Sequence, residues 1–185
     1  GAMAGPIEDL VGVLEKTQCE CLNAADGKPL ANIIFPPARE EPESLLESDC
    51  DAQLLIHLTF QQIVKVHSLV LETPESLRQQ GPVKAILFVN KPTLDFSSAE
   101  SEKPAQEVVI SPDNLAGKPL ELKFTAFQNV STISIFFPEN ATGDEDEMTI
   151  LSKLAVVGMT TAIEGSKPSL EQQKAAAAGD WLNPK

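Results

Sequence analysis

A regular alternation of apolar and polar side chains between Ser48 and Thr73 restricts the possible folds of this chain more than any other feature. On one side of an extended backbone the alternation places four apolar residues, Leu54, Ile56, Leu58 and Phe60. On the other side it places polar ones, Gln53, His57 and Thr59. Two glutamines interrupt the pattern, and a run rich in β-branched residues then continues to Thr73. Period two predicts a half-buried strand, and two adjacent runs predict an antiparallel pair at the centre of a β-sandwich.

Further short strands are predicted along the rest of the chain, at residues 83–90, 107–110, 120–126, 132–137 and 149–157. One helix is predicted near the N-terminus, because four apolar residues recur there at helical spacing, namely Ile7, Leu10, Val11 and Leu14. Residues 24–46 and 93–104 are predicted as loops, since turn-forming and polar residues dominate both. Seven or eight short strands and a single short helix predict an all-β fold, an antiparallel β-sandwich of jelly-roll type.

The acidic composition excludes several classes of partner. The net charge is −13, whereas nucleic acids and anionic membrane surfaces both attract clusters of lysine and arginine. The charge fits either a partner with a basic surface or solubility alone. Three cysteines are too few for a disulfide framework, and no apolar run approaches the roughly 20 residues that span a bilayer. We therefore expect a soluble monomer in a reducing compartment, in the cytoplasm and also the nucleus.

The sequence divides into three parts by composition. Residues 1–4 (GAMA) look like a remnant of an expression vector, and no secretory signal follows them. The predicted domain covers residues 5–163. Residues 164–185 form a predicted flexible tail, because they are polar and alanine-rich and have no apolar face to bury. Trp181 and Leu182 in this tail could anchor a partner or fold back on their own domain.

No cofactor, metal or catalytic residue is expected from the residue pattern. Cys19 and Cys21 are closer together than zinc-binding cysteines usually are, and the remaining candidate ligands, Cys50, His57 and His67, lie on distant segments. The acidic loop at residues 143–147 lacks the spacing of an EF-hand and is read as a solvated loop. Both histidines fall on predicted strands. His67 precedes a serine, but neighbours on a strand face opposite sides, so we expect no catalytic pair.

An ordered set of short segments resembles the PITH domain, the C-terminal module of proteasome-interacting thioredoxin-like proteins. The segments are residues 18–23 (QCECLN), 46–51 (LESDCD), 53–54 (QL), 64–69 (VKVHSL), 81–84 (GPVK), 94–96 (LDF), 127–130 (FQNV) and Gly158. The resemblance implies a jelly-roll β-sandwich that is galactose-binding-domain-like, docking on the regulatory particle of the 26S proteasome, and no catalytic residues. The best-known members carry a thioredoxin domain that this sequence lacks, so a stand-alone protein and a piece of a longer one both stay open.

Two functions from different classes remain, a non-catalytic protein-interaction module and a small-ligand or carbohydrate-binding jelly roll. The candidate partner-binding residues lie in predicted loops or in the tail, and they are Ser48, Asp49, Asp51, Asp95, Phe96, Gln128, Asn129, Trp181 and Leu182. Aspartate and serine before a strand also commonly bond local backbone, and a loop phenylalanine can simply close the sandwich edge. Sugar sites use exposed aromatic platforms, and this chain has one Trp and no Tyr. The interaction module is therefore favoured.

Overall fold

The structure is a computed structural model that describes residues 6–161. Within that range the strands, in chain order, are β1 (Glu8–Asp9), β2 (Glu20–Leu22), β3 (Leu46–Glu47), β4 (Leu54–Glu72), β5 (Lys84–Val89), β6 (Gln106–Val109), β7 (Leu120–Glu121), β8 (Val130–Phe137), β9 (Ile150–Leu151) and β10 (Lys153–Thr160). The α-helices are α1 (Ala31–Ile34) and α2 (Phe96–Ser101). Short 3-10 helices cover Leu10–Val13, Lys16–Gln18, Ala38–Glu40, Glu75–Gln80 and Phe124–Phe127. No helix in this range is long and apolar enough to cross a bilayer.

The long strand β4 belongs to both layers of the sandwich. Its first half pairs with β2 and β8, and β5 and β6 extend that layer beyond β8. Its second half pairs with β10 and β7, and β1 extends that layer beyond β10. Every one of these pairings is antiparallel, and β3 and β9 form a separate antiparallel ribbon. Apolar side chains from both halves of β4 meet in one buried cluster, as expected for two packed layers.

A β-bulge in β4 keeps its apolar side chains on the inner face along the whole strand. The inward residues are Leu54, Ile56, Leu58, Phe60, Val64, Val66, Leu69 and Leu71. Val66 and Leu69 are three residues apart, so period two is broken between them. On β10, Gly158 pairs with Val66 and Val157 pairs with Ser68, which leaves His67 as the unpaired residue of the bulge. A Cβ added at Gly158 would lie 2.0 Å from the carbonyl oxygen of Lys65, so only glycine fits opposite the bulge.

The predicted antiparallel pair at the centre of the sandwich is wrong, because the two runs are one continuous strand. Gln61 and Gln62 both lie within β4 in extended backbone. A tight hairpin needs residues that adopt turn conformations, such as Gly, Asn or Asp, and neither position supplies one. The interruption instead marks a shift of register against β8, between Thr59 and Val64, where the strand passes from one layer to the other.

The predicted N-terminal helix is also mostly wrong. Glu8 and Asp9 pair with β10, and only the 3-10 turn Leu10–Val13 is helical. The Asp9 carboxylate caps that turn by accepting from the N–H of Val11 at 2.9 Å. Leu10 and Leu14 are buried, whereas Ile7 is 52% exposed. Apolar residues at helical spacing over only eight residues do not establish a helix, because a single tight turn can bury the same two leucines.

The all-β antiparallel fold is confirmed, but several elements begin or end at residues other than those predicted. The predicted loop at residues 93–104 contains α2. The strand predicted at residues 120–126 ends at Glu121, and the 3-10 turn that follows buries Phe127 while leaving Phe124 60% exposed. The last predicted strand is divided at Ser152 into β9 and β10. β5, β6 and β8 lie where the sequence predicted strands.

Candidate functional site

Asn23 organises the loop that carries three of the candidate residues. Its backbone is left-handed, with φ at 72°, which an asparagine tolerates better than most residues. Its side-chain amide donates to the carbonyl of Gln53 at 2.7 Å and to the Asp51 carboxylate at 2.9 Å, and its carbonyl accepts from the N–H of Cys50 at 3.1 Å. The same Asp51 oxygen accepts from the N–H of Gln53 at 2.9 Å. Asp51 therefore stabilises the loop, while Asp49 is exposed to solvent.

Ser48 and Thr149 join this loop to the segment that precedes β9. The N–H of Ser48 donates to the Thr149 carbonyl at 3.0 Å, and its hydroxyl accepts from the N–H of Thr149 at 2.8 Å. The Thr149 hydroxyl donates to the carbonyl of Ala52 at 2.6 Å and accepts from the amide of Asn140 at 3.0 Å. Ser48, Asn140 and Thr149 are all buried. This network therefore holds two surface loops together from below, and its side chains are not exposed to a partner.

Together these loops form what we call the acidic end, residues 49–51 and 139–147. Its exposed or half-exposed carboxylates are Asp49, Asp51, Glu139, Asp144, Glu145, Asp146 and Glu147. None of them takes part in an ion pair with another described residue. Three of them, Glu139, Asp144 and Glu145, border an open depression of about 480 Å³ that Ala52 also lines. Lys84 lies at the rim, since the register of β5 on β8 places it beside Pro138. The acidic end is thus a rigid, negatively charged surface.

Asp95 and Phe96 hold α2 against the outer face of the first layer. The Asp95 carboxylate caps the helix by accepting from the N–H of Ser98 at 2.8 Å, and this bond lowers the pKa of the carboxyl below its ordinary value. The Phe96 ring packs edge-on against Phe136, with ring centroids 6.0 Å apart. Beneath the helix lies a second apolar cluster, formed by Leu55, Phe88, Leu94, Ala99 and Phe136. Both residues therefore have a local structural role.

Gln128 and Asn129 lie at the opposite end of the sheet from the acidic end. The Gln128 side chain donates to the carbonyl of Phe124 at 2.6 Å, and the Asn129 carbonyl accepts from the Asn90 amide at 3.0 Å. They precede β8, whereas the loop of Ser48 leads into β4 beside the last residue of β8. Eight residues of strand separate the two groups by roughly 25 Å. The structure does not bring the candidate residues together in one site.

His57 is the buried polar residue that sequence reasoning missed. Its side chain is not half-buried as expected, because the residue is 2% exposed beneath the loop that precedes α2. Its Nε2–H donates to the carbonyl of Leu94 at 2.9 Å, and the Ser134 hydroxyl donates to its Nδ1 at 2.6 Å. Together with Glu20 and Thr59 it borders a shallow cleft of about 240 Å³. His57 thereby ties the loop of Leu94 to β4 and β8.

The expectation that His67 and Ser68 face opposite sides is wrong. The bulge turns the two side chains towards each other, and His67 Nδ1 lies 3.1 Å from the Ser68 hydroxyl. Ser68 is 3% exposed, and no other described side chain hydrogen-bonds His67 to orient it. A serine nucleophile needs access to substrate and an oriented base, so this pair lacks the arrangement that nucleophilic catalysis requires.

The three cysteines lie apart and differ in environment. Burial raises the pKa of the Cys21 thiol to about 12, and it also raises the pKa of Cys19. Cys50 is exposed, and the neighbouring Asp49 carboxylate raises its pKa. Among residues 6–161, no group of three or more His, Cys, Asp or Glu side chains is placed to hold a metal ion.

Comparison with known protein families shows which family the chain belongs to. The family model described as the PITH domain matches residues 2–176. The chain belongs to the PITH domain family. The PITH segment resembles Thioredoxin-like protein 1 of Schizosaccharomyces pombe, with 33% identity over 169 residues that cover 90% of this chain and 56% of the relative. PITH domain-containing protein 1 of Danio rerio is 30% identical over 132 residues, 69% of this chain and 59% of the relative. The chain thus spans little more than half the length of these curated relatives.

Solved structures confirm that this PITH domain has a jelly-roll fold of the galactose-binding type. The family 32 carbohydrate-binding module of Clostridium perfringens NanJ, solved with galactose, superposes with a TM-score of 0.57 at 10% identity, over 82% of this chain and 99% of the module. A fucolectin from the serum of Morone saxatilis gives a TM-score of 0.52 at 14% identity, over 86% of this chain and 50% of the lectin. Identities this low establish the shared fold alone.

The remaining candidate residues lie outside the described part of the PITH chain. Trp181 and Leu182 fall in residues 162–185, as does the whole of the predicted tail at 164–185. The family match ends at residue 176, before both of them. Their part in binding stays a prediction.

Proposed function

We propose that this PITH domain is a non-catalytic interaction module that docks on the regulatory particle of the 26S proteasome through its acidic end. The observation that carries the proposal is a fixed surface of seven carboxylates without ion-pair partners among the described residues. Membership of a family related to proteasome-interacting thioredoxin-like proteins supports the choice of partner. Docking there would place the chain in the cytoplasm and the nucleus.

The construction of the acidic end suits recognition of another protein. Its loops are held by buried hydrogen bonds through Ser48, Asn140 and Thr149, so little conformational freedom is lost when a partner binds. Unpaired exposed carboxylates attract a surface rich in lysine and arginine, which speeds encounter and selects against acidic partners. Exposed charges are screened by salt over about 8 Å at physiological ionic strength, so binding should weaken as salt is added.

A pair of charge-reversed variants tests this proposal. Asp144→Lys with Glu145→Lys reverses two carboxylates at the acidic end, and Glu41→Lys with Glu43→Lys makes the same change in net charge on a distant exposed loop. Binding to purified 26S proteasome is measured by biolayer interferometry at low and at physiological salt. We expect the first variant to weaken binding about tenfold or more and the second by less than about twofold.

Two results would contradict the proposal. Equal weakening by both variants would show that net charge, and not the acidic end, governs the interaction. Failure of the unaltered chain to bind the proteasome at low salt would remove the function itself. Thermal melts of both variants serve as the control for folding.

Carbohydrate binding, the alternative function, has no specific support beyond the shared fold. Among the described residues, Phe124 is the exposed large aromatic side chain, and it lies outside the depression at the acidic end. Sugar-binding sites usually place an aromatic ring beside polar groups. A glycan-array signal from a chain that fails to bind the proteasome would reverse the ranking of the two functions.

A further inference from the structure

The outermost strand of the first layer, β6, has an open edge. Among the described strands it pairs with β5 alone, and the N–H of Ile110 donates to the Val83 carbonyl at 2.9 Å. Hydrogen bonding alternates along an antiparallel pair, so the backbone N–H and C=O groups of Glu107 and Val109 point away from β5. No hydrogen bond between described residues uses these groups. Such an edge can accept a further strand.

Exposed apolar side chains flank this edge. Val109 is 79% exposed, more than the two other large hydrophobic residues that are exposed in the described chain. Phe124 is 60% exposed, and it follows Lys123, whose N–H donates to the Gln106 side chain at 2.7 Å. The two hydrophobic side chains therefore lie near opposite ends of β6, where alternate residues of an added strand could cover them.

Three lysines lie around β6. Lys84 lies directly across from Val109, Lys103 precedes the strand, and Lys123 bonds to its first residue. None of these lysines forms an ion pair with another described residue, and the one carboxylate on the strand itself is Glu107. The chain as a whole has a net charge of −13, so three lysines beside one strand are distinctive.

We propose that the β6 edge binds an extended acidic segment of a partner protein as an additional β-strand. Main-chain hydrogen bonds to Glu107 and Val109 would hold the segment, and its acidic side chains would face the three lysines. A second copy of this chain fits poorly, because two β6 edges would bring like-charged lysines together. The β6 edge adjoins the acidic end at Lys84, but the backbone groups of Glu107 and Val109 are not part of the acidic end, so this inference does not rest on the proposed function.

Titration with short synthetic peptides tests the inference. The probe is an acetylated, amidated heptapeptide of alternating Glu or Asp and Val, and its counterpart carries Lys at every acidic position. Two-dimensional amide NMR of the ¹⁵N-labelled full chain reports binding. We expect the acidic peptide to bind about tenfold or more tightly than the basic one, and amide exchange at Glu107 and Val109 to slow about tenfold when it is bound.

Two substitutions at one position separate strand addition from simple charge attraction. Val109→Pro removes an N–H that faces the open edge, where proline is tolerated, so we expect the fold to persist and peptide binding to be lost. Val109→Thr keeps the N–H and should bind the acidic peptide within about threefold of the unaltered chain. Melting temperatures of both variants confirm folding, and Asp144→Lys with Glu145→Lys should leave peptide binding no weaker than in the unaltered chain.

The inference is overturned by any of three results. One is no binding of the acidic peptide up to about 1 mM. Another is equal binding by folded Val109→Pro and the unaltered chain. The third is binding that leaves amide exchange at Glu107 and Val109 unchanged.

Discussion

Replacing His57 with alanine should destabilise the fold far more than the same change at His67. The two histidines lie on the same strand, ten residues apart. His57 is buried and bonds two groups on other segments, the Leu94 carbonyl and the Ser134 hydroxyl. His67 is half-buried and bonds only the adjacent Ser68.

The expected magnitude follows from the groups that His57 leaves behind. The Leu94 carbonyl would lose the N–H that pairs with it, and a buried acceptor left unpaired costs about 1–3 kcal/mol. Without His57, the Ser134 hydroxyl can donate its proton to the Lys91 carbonyl, 3.3 Å away, so its loss is about 1 kcal/mol. The sum is about 2–4 kcal/mol, which lowers the Tm of a domain of this size by about 4–16 °C. His67→Ala should change stability by about 0.5 kcal/mol or less.

Urea unfolding followed by circular dichroism, together with differential scanning calorimetry, measures both variants. His57→Gln is the matched control, because its amide can still donate towards Leu94, and it should recover part of the lost stability. The reasoning is refuted if His57→Ala stays within about 0.5 kcal/mol of the unaltered chain, or if His67→Ala costs as much.

Four further outcomes are expected. Gly158→Ala should cost about 3 kcal/mol or more, measured by urea unfolding, because the new Cβ would overlap a carbonyl of β4; a stable variant would show that the bulge can relax. Maleimide labelling near pH 7 should modify Cys50 first and Cys21 last, since burial holds the pKa of Cys21 at about 12. Asp49→Asn should lower the raised pKa of the Cys50 thiol and so speed its labelling. An unchanged labelling rate would show that the Asp49 carboxylate is not what raises the pKa of Cys50. Removal of residues 165–185 should leave the Tm nearly unchanged, and a large drop would make the tail part of the fold.

The alternation of side chains was enough to predict the all-β fold and strands such as β8, because period two reports burial on one face directly. The strand β5 was predicted from a short run that is apolar on both faces and bounded by Gly-Pro and Lys-Pro. The alternation could not show that β4 is unbroken. Polar residues such as Gln61 interrupt the apolar pattern in the same way whether the chain turns back in a hairpin or continues into the other layer. Nor could it show α2, whose short helix depends on the Asp95 cap and on packing against Phe136. The Asp95 cap is local, but the contact between Phe96 and Phe136 joins residues far apart in sequence.

The candidate site was predicted less well for a related reason. The sequence singled out Ser48 and Asp51 by their place before a strand, but their side chains bond to Thr149 and Asn23, which no local pattern connects to them. The burial of His57 likewise depends on a loop 37 residues further along the chain. The run of acidic residues at 144–147 was interpreted as a solvated loop, although it supplies four of the seven carboxylates of the acidic end.

The passage of β4 through both layers has a consequence for how the molecule comes apart. Leu54–Glu72 is a single length of backbone whose two halves are ladder partners of different strands, so neither layer can melt while the other survives intact. Unfolding should accordingly be cooperative, with slow hydrogen exchange distributed along the whole of β4. A proteolytic nick near Gln62 would divide β4 between two fragments, and the first half of β4 would then be held to its ladder partner β8 by noncovalent contacts alone.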